Sequence, residues 1–408
     1  MKKISINING KELEGFAGQT ILEAARDNNI FIPTLCEDAR TKVYGGCGIC
    51  VVSVDDNPKL IKACATEITE GMIIQTDTER IIESRKTMLE LLLSDHTGDC
   101  RGPCVHGCPA HTDCQGYVGL VANGQAKEAY KLILERIPLP ASIGRVCPHP
   151  CEDECRRSLI DEPIGIAMVK RFCGDYALEN DPYAEWMPKP PPDSGKKVAI
   201  IGGGPYGLSL AYFLRLQGHG VAVYEAMPKA GGMLRYGIPE YRLPKAILDA
   251  EIDRLKTMGI DIRTQLRIGR DISFESIHTR YDAVCIGIGA WAAQGAGVKG
   301  EDLPGVFGGV ELLSKAAAGE DLYLGKRVAV IGGGNTAMDA CRTAVRMGAR
   351  EVYSIYRRTR NEMPAERLEI QEAEEEGVIF KELMTPVEII SGEDGRANKI
   401  VLQHMKLG

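Results

Sequence analysis

Cysteine placement is the feature that most restricts how this chain can fold. Twelve of its fourteen cysteines lie within the first 173 residues, and many of these are only three or four positions apart. In a chain of 408 residues that pattern is typical of metal ligands rather than of the disulfide frameworks that staple small secreted domains. The sequence therefore predicts that the N-terminal part folds around thiolate-bound metal.

The overall composition is that of an ordinary globular protein, with 44% hydrophobic residues and a formal charge of −7. This charge offers no electrostatic footprint for nucleic acid or for an anionic membrane surface. The N-terminus alternates Ile4, Ile6 and Ile8 with polar residues, so it lacks the apolar block of a signal peptide. No run approaches the roughly 20 apolar residues of a membrane helix. We therefore expect a cytoplasmic protein that neither inserts into a membrane nor binds nucleic acid.

The first 30 residues predict a hairpin followed by a helix. Alternating apolar and polar residues flank Asn9-Gly10, which is a strong hairpin turn. Thr20 and Glu23 then form a capping-box pattern that opens a helix ending near Asn28. This succession indicates a small β-grasp module.

Strand signals fade after Gly71, and the next predicted element is a helix over residues 80–93. Between residues 100 and 155 the sequence predicts one long helix, about Val118 to Arg136, flanked by cysteine clusters. The apolar residues of the 80–93 helix that are available for burial are Ile81, Met88, Leu89 and Leu92.

The chain changes character again after a segment rich in proline, residues 181–196, which is interpreted as an interdomain linker. Beyond it, strand and helix patterns alternate. Two segments also repeat each other, Lys197-Val-Ala-Ile-Ile-Gly-Gly-Gly and Arg327-Val-Ala-Val-Ile-Gly-Gly-Gly. We interpret them as two related nucleotide-binding units.

The first cysteine group has gaps of ten, two and thirteen residues, and glycines surround its middle pair. Glycine lets the backbone wrap closely around a cluster and aim N–H groups at its sulfides. The pattern suits a [2Fe–2S] centre, and structural zinc, which usually takes two close pairs of thiolates, is the alternative. Residues 1 to about 80 resemble the ferredoxin-like domain of the complex I large subunit and of iron-only hydrogenases. The resemblance includes all four ligand positions: Cys36, Cys47, Cys50 and Cys64.

Seven further cysteines form two groups: Cys100, Cys104, Cys108 and Cys114, then Cys147, Cys151 and Cys155. Seven thiols exceed what one tetrahedral metal needs, and the Cys-Pro steps at 108 and 147 are common beside cubane clusters. Two [4Fe–4S] clusters are the economical interpretation, and a pair of zinc ions is the alternative. The segment resembles the N-terminal helical domain of the glutamate synthase small (beta) subunit family, shared with dihydropyrimidine dehydrogenase, most clearly over Gly144-Arg-Val-Cys-Pro-His-Pro-Cys-Glu.

This resemblance leaves the ligand assignment open. The family's additional Gln or Glu ligand falls at Lys170, which offers neither a carboxylate nor an amide, and Cys114 is an extra thiol that can substitute. His96 resembles the histidine of the His-plus-three-Cys cluster of complex I, with a solvated residue after a helix as the alternative. Cys173 is either an eighth ligand or a buried free thiol.

A glycine-rich turn follows the strand Val198 to Ile201. In a strand–turn–helix context its first glycine permits the turn, its second lets the backbone approach a pyrophosphate, and its third lets helix and strand pack closely. Glu225 closes the next strand, where it can accept both ribose hydroxyls and would repel a 2′-phosphate, so the turn suits the adenosine of FAD or NAD. The residues of this turn are Gly202, Gly204, Pro205 and Gly207.

Two later segments resemble flavin-contacting signatures of the same family, one running from Gly231 to Pro244 and one from Tyr281 to Ala290. The resemblance implies FAD at this site, with Gly232, Arg235 and Gly289 beside it. An empty doubly wound domain is the alternative.

The second turn follows the strand Val328 to Ile331 and carries Gly332, Gly334, Asn335 and Thr336. Arg357 takes the place equivalent to Glu225, and Arg358 follows it. Guanidinium groups there can make bidentate contacts with a 2′-phosphate, so NADP(H) is predicted in preference to NAD(H). A solvated basic strand end is the alternative. Residues 356–365 resemble the nicotinamide site of the glutamate synthase small-subunit family, in which Arg360 is a weaker candidate.

Together these patterns predict a multidomain α+β and α/β protein. The expected parts are a β-grasp ferredoxin-like domain (1–80), a helical iron–sulfur domain (81–180), the linker (181–196) and two Rossmann-like domains. The first of these binds FAD (197–320), and the second binds NADP(H) (321–408).

We single out no catalytic residue, because hydride transfer between nicotinamide and flavin needs no dedicated acid or base. The expected function is an electron-transfer oxidoreductase subunit that links NADP(H), FAD and iron–sulfur clusters. Its expected partners are other redox subunits of a hydrogenase, formate dehydrogenase or transhydrogenase-type complex. One alternative is a glutamate synthase small subunit, which would require a large amidotransferase partner.

The other alternative is an electron-wire or scaffold subunit without stable FAD. In the family that the chain resembles, the flavin domain resumes after the nicotinamide insert, whereas this sequence stops at Gly408.

Overall fold

The computed structural model describes residues 2–37, 43–96, 98, 101–320 and 322–408. The chain forms two compact units, one over Met1–Cys100 and one over Arg101–Gly408. Within the described residues, no helix combines the length and the apolar character that crossing a bilayer requires.

The first unit is built on one mixed five-stranded sheet in the order β2-β1-β5-β3-β4. β1 and β5 are parallel, and the other neighbouring pairs are antiparallel. The elements are β1 (Lys3–Ile8), β2 (Lys11–Phe16), α1 (Ile21–Asp27), β3 (Val51–Val54), β4 (Ile61–Lys62), a 3-10 turn (Ala63–Ala65), β5 (Ile73–Gln75) and α2 (Glu79–Ser94).

The predicted hairpin and first helix are confirmed. Asn9 and Gly10 both have positive φ (53° and 82°), the conformation that a tight two-residue hairpin requires. The side chain of Thr20 accepts a hydrogen bond from the Glu23 amide while the Glu23 side chain accepts one from the Thr20 amide, which completes the capping box.

Two expectations for this unit were wrong. β5 lies at the centre of the sheet although strand signals fade after Gly71, because a three-residue strand is too short to show a period. In α2 only Ile81 of the four expected residues is fully buried, while Leu89 and Leu92 are 46% and 38% exposed.

The second unit begins with helices that carry the remaining cysteine groups. These are α3 (Pro103–Gly107), α4 (Cys114–Ala122), α5 (Ala126–Leu134), α6 (Pro140–Val146), α7 (Pro150–Asp153), a 3-10 turn (Arg156–Leu159) and α8 (Ile166–Asn180).

The single long helix expected from about Val118 to Arg136 was wrong, because α4 and α5 are separate helices. Asn123 caps the end of α4, and Gly124 follows at φ +74°, a left-handed conformation that ends a helix and that glycine adopts without strain. The helices on either side can therefore pack against each other.

Two parallel sheets follow, one four-stranded in the order β8-β7-β6-β9 and one three-stranded in the order β10-β11-β12, with a separate antiparallel pair, β13-β14. The strands are β6 (Lys197–Ile201), β7 (Gly220–Tyr224), β8 (Ile260–Arg263), β9 (Ala283–Ile286), β10 (Arg327–Ile331), β11 (Glu351–Ile355), β12 (Ile379–Lys381), β13 (Met384–Ser391) and β14 (Ala397–His404). The helices are α9 (Pro205–Leu216), α10 (Met233–Tyr236), α11 (Lys245–Thr257), α12 (Phe274–His278), α13 (Gly309–Ala317), α14 (Asn335–Arg346) and α15 (Arg367–Glu375), with a 3-10 turn at Arg360–Glu362. The mixed α+β and α/β fold class is confirmed.

One hydrophobic core joins the cysteine-bearing helices to the first parallel sheet. Ile133 of α5, Ile200 of β6 and Leu248 of α11 belong to the same buried cluster. The second parallel sheet has its own core, which includes Met338 of α14 and Val352 of β11. The helical region and the first sheet therefore form one packed body.

Buried polar contacts reinforce the joint between the cysteine-bearing helices and the first parallel sheet. Glu251 of α11 accepts hydrogen bonds from the amides of Ala141 (2.6 Å) and Ser142 (2.9 Å) at the start of α6. Arg254 of α11 pairs with Asp181 at 3.0 Å. The start of the segment interpreted as a linker is therefore packed against the nucleotide-binding sheet.

The second sheet is tied to the first by ion pairs. Arg242, which precedes α11, lies 2.8 Å from Asp339 of α14 and 2.8 Å from Glu369 of α15. These three side chains are at most 12% exposed. Buried pairs of this kind fix orientation because separating them would leave charges uncompensated.

Candidate cofactor-binding sites

The structure brings the four thiols of the first cysteine group together. Cys36 lies in the loop after α1, Cys47 and Cys50 lie in the loop that leads into β3, and Cys64 lies in the 3-10 turn after β4. The sulfur atoms of Cys50 and Cys64 are 3.3 Å apart. Burial raises the pKa of Cys64 to about 12, and the neighbouring Cys50, Cys36 and Cys47 contribute to the rise.

The loop around the middle pair is shaped by glycine. Gly45 and Gly48 have φ of 65° and 69°, and the Ile49 amide points at the sulfur of Cys47 at 3.5 Å. An amide directed at a ligand sulfur stabilises negative charge there. Four convergent thiols on a backbone that turns N–H groups towards them fit a [2Fe–2S] cluster.

Helix α2 packs on this loop. The sequence did not predict that Met88 and Arg85 of this helix contact it. A Cβ atom at Gly48 would lie 3.0 Å from Met88 Cε. Arg85, one turn earlier, donates from Nη2 to the carbonyl of Val51 at 2.7 Å. Burial lowers the pKa of Arg85, whereas the nearby Cys50 and Asp77 act in the opposite direction.

Five thiols of the later groups also converge. Cys114 is the centre of this set, because its thiol contacts both Cys108 and Cys151, and these contacts together with burial raise its pKa strongly. The hydrogen bond from Cys114 lowers the pKa of Cys108 to about 4. Burial raises the pKa of Cys104, with further contributions from Cys151 and Cys155.

The helices explain this convergence. α3 packs against α7, since a Cβ atom at Gly107 would lie 3.1 Å from the carbonyl oxygen of Pro150. α6 and α8 approach just as closely, because Cβ atoms at Gly144 and Gly174 would lie 2.5 Å and 2.4 Å from backbone atoms of the facing helix. Glycine at these positions lets elements that carry cysteines meet.

The other candidate ligands of the later groups do not belong to the five converging thiols. Cys100 lies outside the described residues. Cys147 ends α6, and its sulfur accepts a hydrogen bond from the His149 amide at 3.4 Å. Lys170 is 4% exposed and lies close enough to lower the pKa of Cys151, after the larger effects of Cys114 and burial.

Cys173 and His96 are the two remaining candidate ligands. Cys173 is fully buried in α8, which raises its pKa to about 11. The amide of His96 bonds to the carbonyl of Leu93 at the end of α2. In the part of the chain that the structure describes, no three His, Cys, Asp or Glu side chains stand at the separations that enclose a single metal ion.

The first glycine-rich turn lies between β6 and α9. Gly202 has φ +110°, and a Cβ atom there would lie 2.3 Å from the carbonyl oxygen of Gly287, just beyond β9. A Cβ atom at Gly207 would lie 1.9 Å from the carbonyl oxygen of Gly202. Gly204 caps α9, and Pro205 is its first residue. The turn leaves the backbone bare where a pyrophosphate would approach the start of the helix.

A second loop backs onto this turn. The Gly231 amide donates to the carbonyl of Gly203 at 2.8 Å, and a Cβ atom at Gly232 would lie only 2.6 Å from Gly204 Cα. Arg235 is buried, donates to the Ala230 carbonyl at 2.6 Å and pairs with Asp249. In this structure the Arg235 guanidinium therefore stabilises the loop that contains Gly231 and Gly232. Gly289, at φ +70°, follows β9.

Glu225, the predicted ribose-binding acid, directly follows the last residue of β7. It is 6% exposed and accepts hydrogen bonds from the amides of Gly203 (2.8 Å) and Met227 (2.7 Å). These bonds fix the position of the Glu225 carboxyl group beside the first glycine-rich turn.

The second turn repeats the geometry between β10 and α14. Gly332 has φ +143°, Gly334 caps α14, and Asn335 and Thr336 form its first residues. The Asn335 side chain accepts a hydrogen bond from the Glu366 amide at 2.9 Å.

The basic residues after β11 differ in availability. Arg357 and Arg358 are exposed, and in the described residues neither side chain forms an ion pair or a hydrogen bond. Arg360 is already engaged, because it pairs with Glu374 at 2.6 Å and stacks over Phe380. Both guanidinium groups are thus exposed beside the second turn, and Arg358 helps to lower the pKa of the Glu362 carboxyl, after the larger effect of its Thr359 hydrogen bond.

Comparison with protein families gives three matches. Residues 1–79 match the 2Fe-2S iron-sulfur cluster binding domain, and residues 94–182 match the dihydropyrimidine dehydrogenase domain II, 4Fe-4S cluster. Residues 185–406 match the pyridine nucleotide-disulphide oxidoreductase family. These matches confirm the kinds of module that the sequence predicts.

Several curated proteins are similar over most of the chain. The NADPH-Fe(3+) oxidoreductase subunit beta of Geobacter sulfurreducens is 38% identical over 373 residues, which cover 87% of this chain and 54% of that protein. The NADP(+)-dependent formate dehydrogenase subunit beta of Moorella thermoacetica is 43% identical over 75% of this chain and 46% of that protein. The glutamate synthase [NADPH] small chain of Escherichia coli is 34% identical over 77% of this chain and 69% of that protein. The chain thus spans about half the length of the first two relatives.

Proposed function

This chain belongs to the pyridine nucleotide-disulphide oxidoreductase family, and from that premise we propose that it is an electron-transfer subunit linking NADP(H), FAD and iron–sulfur clusters within a larger redox complex. The relatives named as NADPH-Fe(3+) oxidoreductase and formate dehydrogenase beta subunits support this assignment. Its partners would be the other redox subunits of such an assembly, of the hydrogenase, formate dehydrogenase or transhydrogenase type, in the cytoplasm.

The observation that carries the proposal is the shared core of the thiol-bearing helices and the first nucleotide-binding sheet. Cys114 and Cys151 belong to the same buried cluster as Ile200, which leads into the first glycine-rich turn. Glu251 adds hydrogen bonds across this joint. Rigid packing of this kind holds metal ligands and a cofactor turn at one fixed separation, which electron transfer between them requires.

We assign FAD to the first turn and NADP(H) to the second. Bound flavin would exchange hydride with nicotinamide and single electrons with iron–sulfur clusters, so the organic chemistry belongs to the cofactors. Glu225 places a carboxylate where a ribose with two free hydroxyls is favoured. Arg357 and Arg358 offer exposed guanidinium groups to a 2′-phosphate.

We assign a [2Fe–2S] cluster to the first cysteine group and two [4Fe–4S] clusters to the later thiols. The convergence of four thiols in the first unit and of five in the second supports this count. Cys100 and Cys147 are proposed as further ligands, which gives seven thiols for the eight ligand positions of two [4Fe–4S] clusters. The corresponding domains are residues 1–80, 81–180, 197–320 and 321–408.

Anaerobic purification of the full chain, followed by measurement of iron, acid-labile sulfide, zinc and flavin, tests the proposal. We expect about ten iron atoms and one FAD per chain if all three clusters are occupied. Zinc in place of iron and sulfide would refute the proposal. Iron and sulfide without flavin would instead favour a subunit that only conducts electrons.

A further inference from the structure

Helix α2 places one positive charge directly against the first cysteine loop. Arg85 donates to the carbonyl of Val51, the residue that follows Cys50. Its Nε atom is buried and, within the described residues, has no hydrogen-bond partner. A buried N–H donor without a partner on a charged group is costly unless a negative group lies nearby.

The position of Arg85 on the helix is not interchangeable with that of its neighbours. Ile81, Arg85 and Met88 are spaced to lie on one face, where Ile81 is fully buried and Met88 packs on Gly48. The adjacent Lys86 differs in exposure, because its side chain is 74% exposed and lies 3.9 Å from Glu90. Arg85 therefore bonds directly to the loop, whereas Lys86 lies at the exposed margin of the depression that both residues line.

We propose that Arg85 tunes the reduction potential of the [2Fe–2S] cluster, raising it by holding a fixed positive charge against the ligand loop. This inference rests on the proposed function, since it requires the cluster to be bound by the first cysteine group.

The physical reason is that one-electron reduction adds a negative charge to the cluster and neither forms nor breaks a bond. A nearby cation stabilises the reduced state more than the oxidised state, and the effect is larger where water is excluded. Arginine keeps its charge across the working pH range. Net charge and hydrogen bonds near the sulfurs are established controls of cluster potential.

The test is an anaerobic redox titration of the full chain, following the electron paramagnetic resonance signal of the reduced [2Fe–2S] cluster. Arg85→Gln keeps an amide that can donate to the Val51 carbonyl but removes the charge. We expect it to lower the midpoint potential by about 59 mV or more, which is a tenfold change in the ratio of oxidised to reduced cluster at a given potential. Arg85→Lys is expected to restore most of the difference.

Lys86→Gln is the matched control and is expected to shift the potential much less, because it removes the same charge from an ammonium group that is mostly exposed to water and screened by salt. An unchanged potential in Arg85→Gln, or an equal shift in Lys86→Gln, would overturn the inference. If Arg85→Gln fails to retain the cluster while Arg85→Lys retains it at the original potential, the need for a charge is upheld. Loss of the cluster in both Arg85 variants would show a purely structural role and overturn the inference.

The experiment distinguishes failure of the proposed function from failure of this inference alone. A wild-type chain without a [2Fe–2S] signal would refute the proposed function and this inference together. A wild-type signal whose potential Arg85→Gln leaves in place would refute this inference alone.

Discussion

Arg254 and Asp181 form an ion pair of 3.0 Å although their side chains are only 8% and 3% exposed. Arg254 lies on α11 beside the first parallel sheet, and Asp181 caps the end of α8. Arg254 also donates to the carbonyl of Ala177 at 2.6 Å. The pair thus fastens the cysteine-bearing helices to the nucleotide-binding sheet from inside the joint.

Replacing Arg254 with Met is expected to reduce the free energy of unfolding by about 3–5 kcal/mol, because Asp181 would remain buried without its positively charged partner. Thermal unfolding of the anaerobic protein, followed by circular dichroism, measures the effect. Lys256→Met is the control, since it breaks an exposed pair with Asp253 and should change the stability by less than about 1 kcal/mol. Equal unfolding temperatures for the two variants would contradict the structural role of the pair.

Glu251 makes the stability of the same joint depend on pH. Burial raises its pKa from 4.5 to about 7, although the Ser142 and Ala141 hydrogen bonds oppose the rise. A raised pKa means that the folded state favours the protonated carboxyl, so this contribution is complete below pH 4.5 and is lost as the pH rises through 7. The change amounts to roughly 3 kcal/mol.

Glu251→Gln, which stays neutral, isolates this effect. The stability advantage of wild type over Glu251→Gln should shrink between pH 5.5 and pH 8.5, as measured by unfolding temperature at each pH. Glu179→Gln, at an exposed position on α8, should show a constant difference from wild type. A constant difference for Glu251→Gln as well would show that the carboxyl does not titrate in this range.

Replacing both Arg357 and Arg358 with Ala is expected to weaken NADPH binding at least about tenfold while leaving NADH binding nearly unchanged. Each charged hydrogen bond to a 2′-phosphate is worth about 1.5–3 kcal/mol, and NADH has no such phosphate. Equilibrium titration with each nucleotide measures the two dissociation constants. Arg327→Ala, at the opposite end of β10, should affect neither. Equal losses of affinity for NADPH and NADH would contradict the assignment of NADP(H) to the second turn.

Gly232→Ala is expected to abolish flavin retention. The added Cβ atom would lie 2.6 Å from Gly204 Cα and would push the two loops of the first nucleotide site apart. Gly269→Ala imposes a similar left-handed strain, at φ +90°, where nothing lies within 4 Å, and should keep its flavin. The ratio of flavin to protein, measured by absorbance, distinguishes the two variants. Full flavin content in Gly232→Ala would place the cofactor elsewhere.

Local signals made part of this structure predictable. The Asn9-Gly10 turn and the Thr20–Glu23 capping box depend only on neighbouring residues, and both form as expected. The glycine-rich turns are likewise fixed by a short strand–turn–helix pattern, which is why Gly202 and Gly332 take positive φ.

Features set by distant contacts were not predictable. β5 is central only because β1 and β3 pair with it, and no period is visible in three residues. Arg85 reads in the sequence as one more charged residue on an exposed helix, and only the folded loop shows that it meets Val51. Glu251 lies more than 100 positions from Ala141, so its hydrogen bonds leave no local signal.

The most direct test is anaerobic addition of NADPH to the purified full chain, with electron paramagnetic resonance of its clusters before and after. If this chain carries electrons between NADP(H) and iron–sulfur clusters through flavin, NADPH will produce reduced-cluster signals in wild type but not in the flavin-free Gly232→Ala variant. Clusters that dithionite reduces but that NADPH leaves oxidised in flavin-replete wild type would contradict the account.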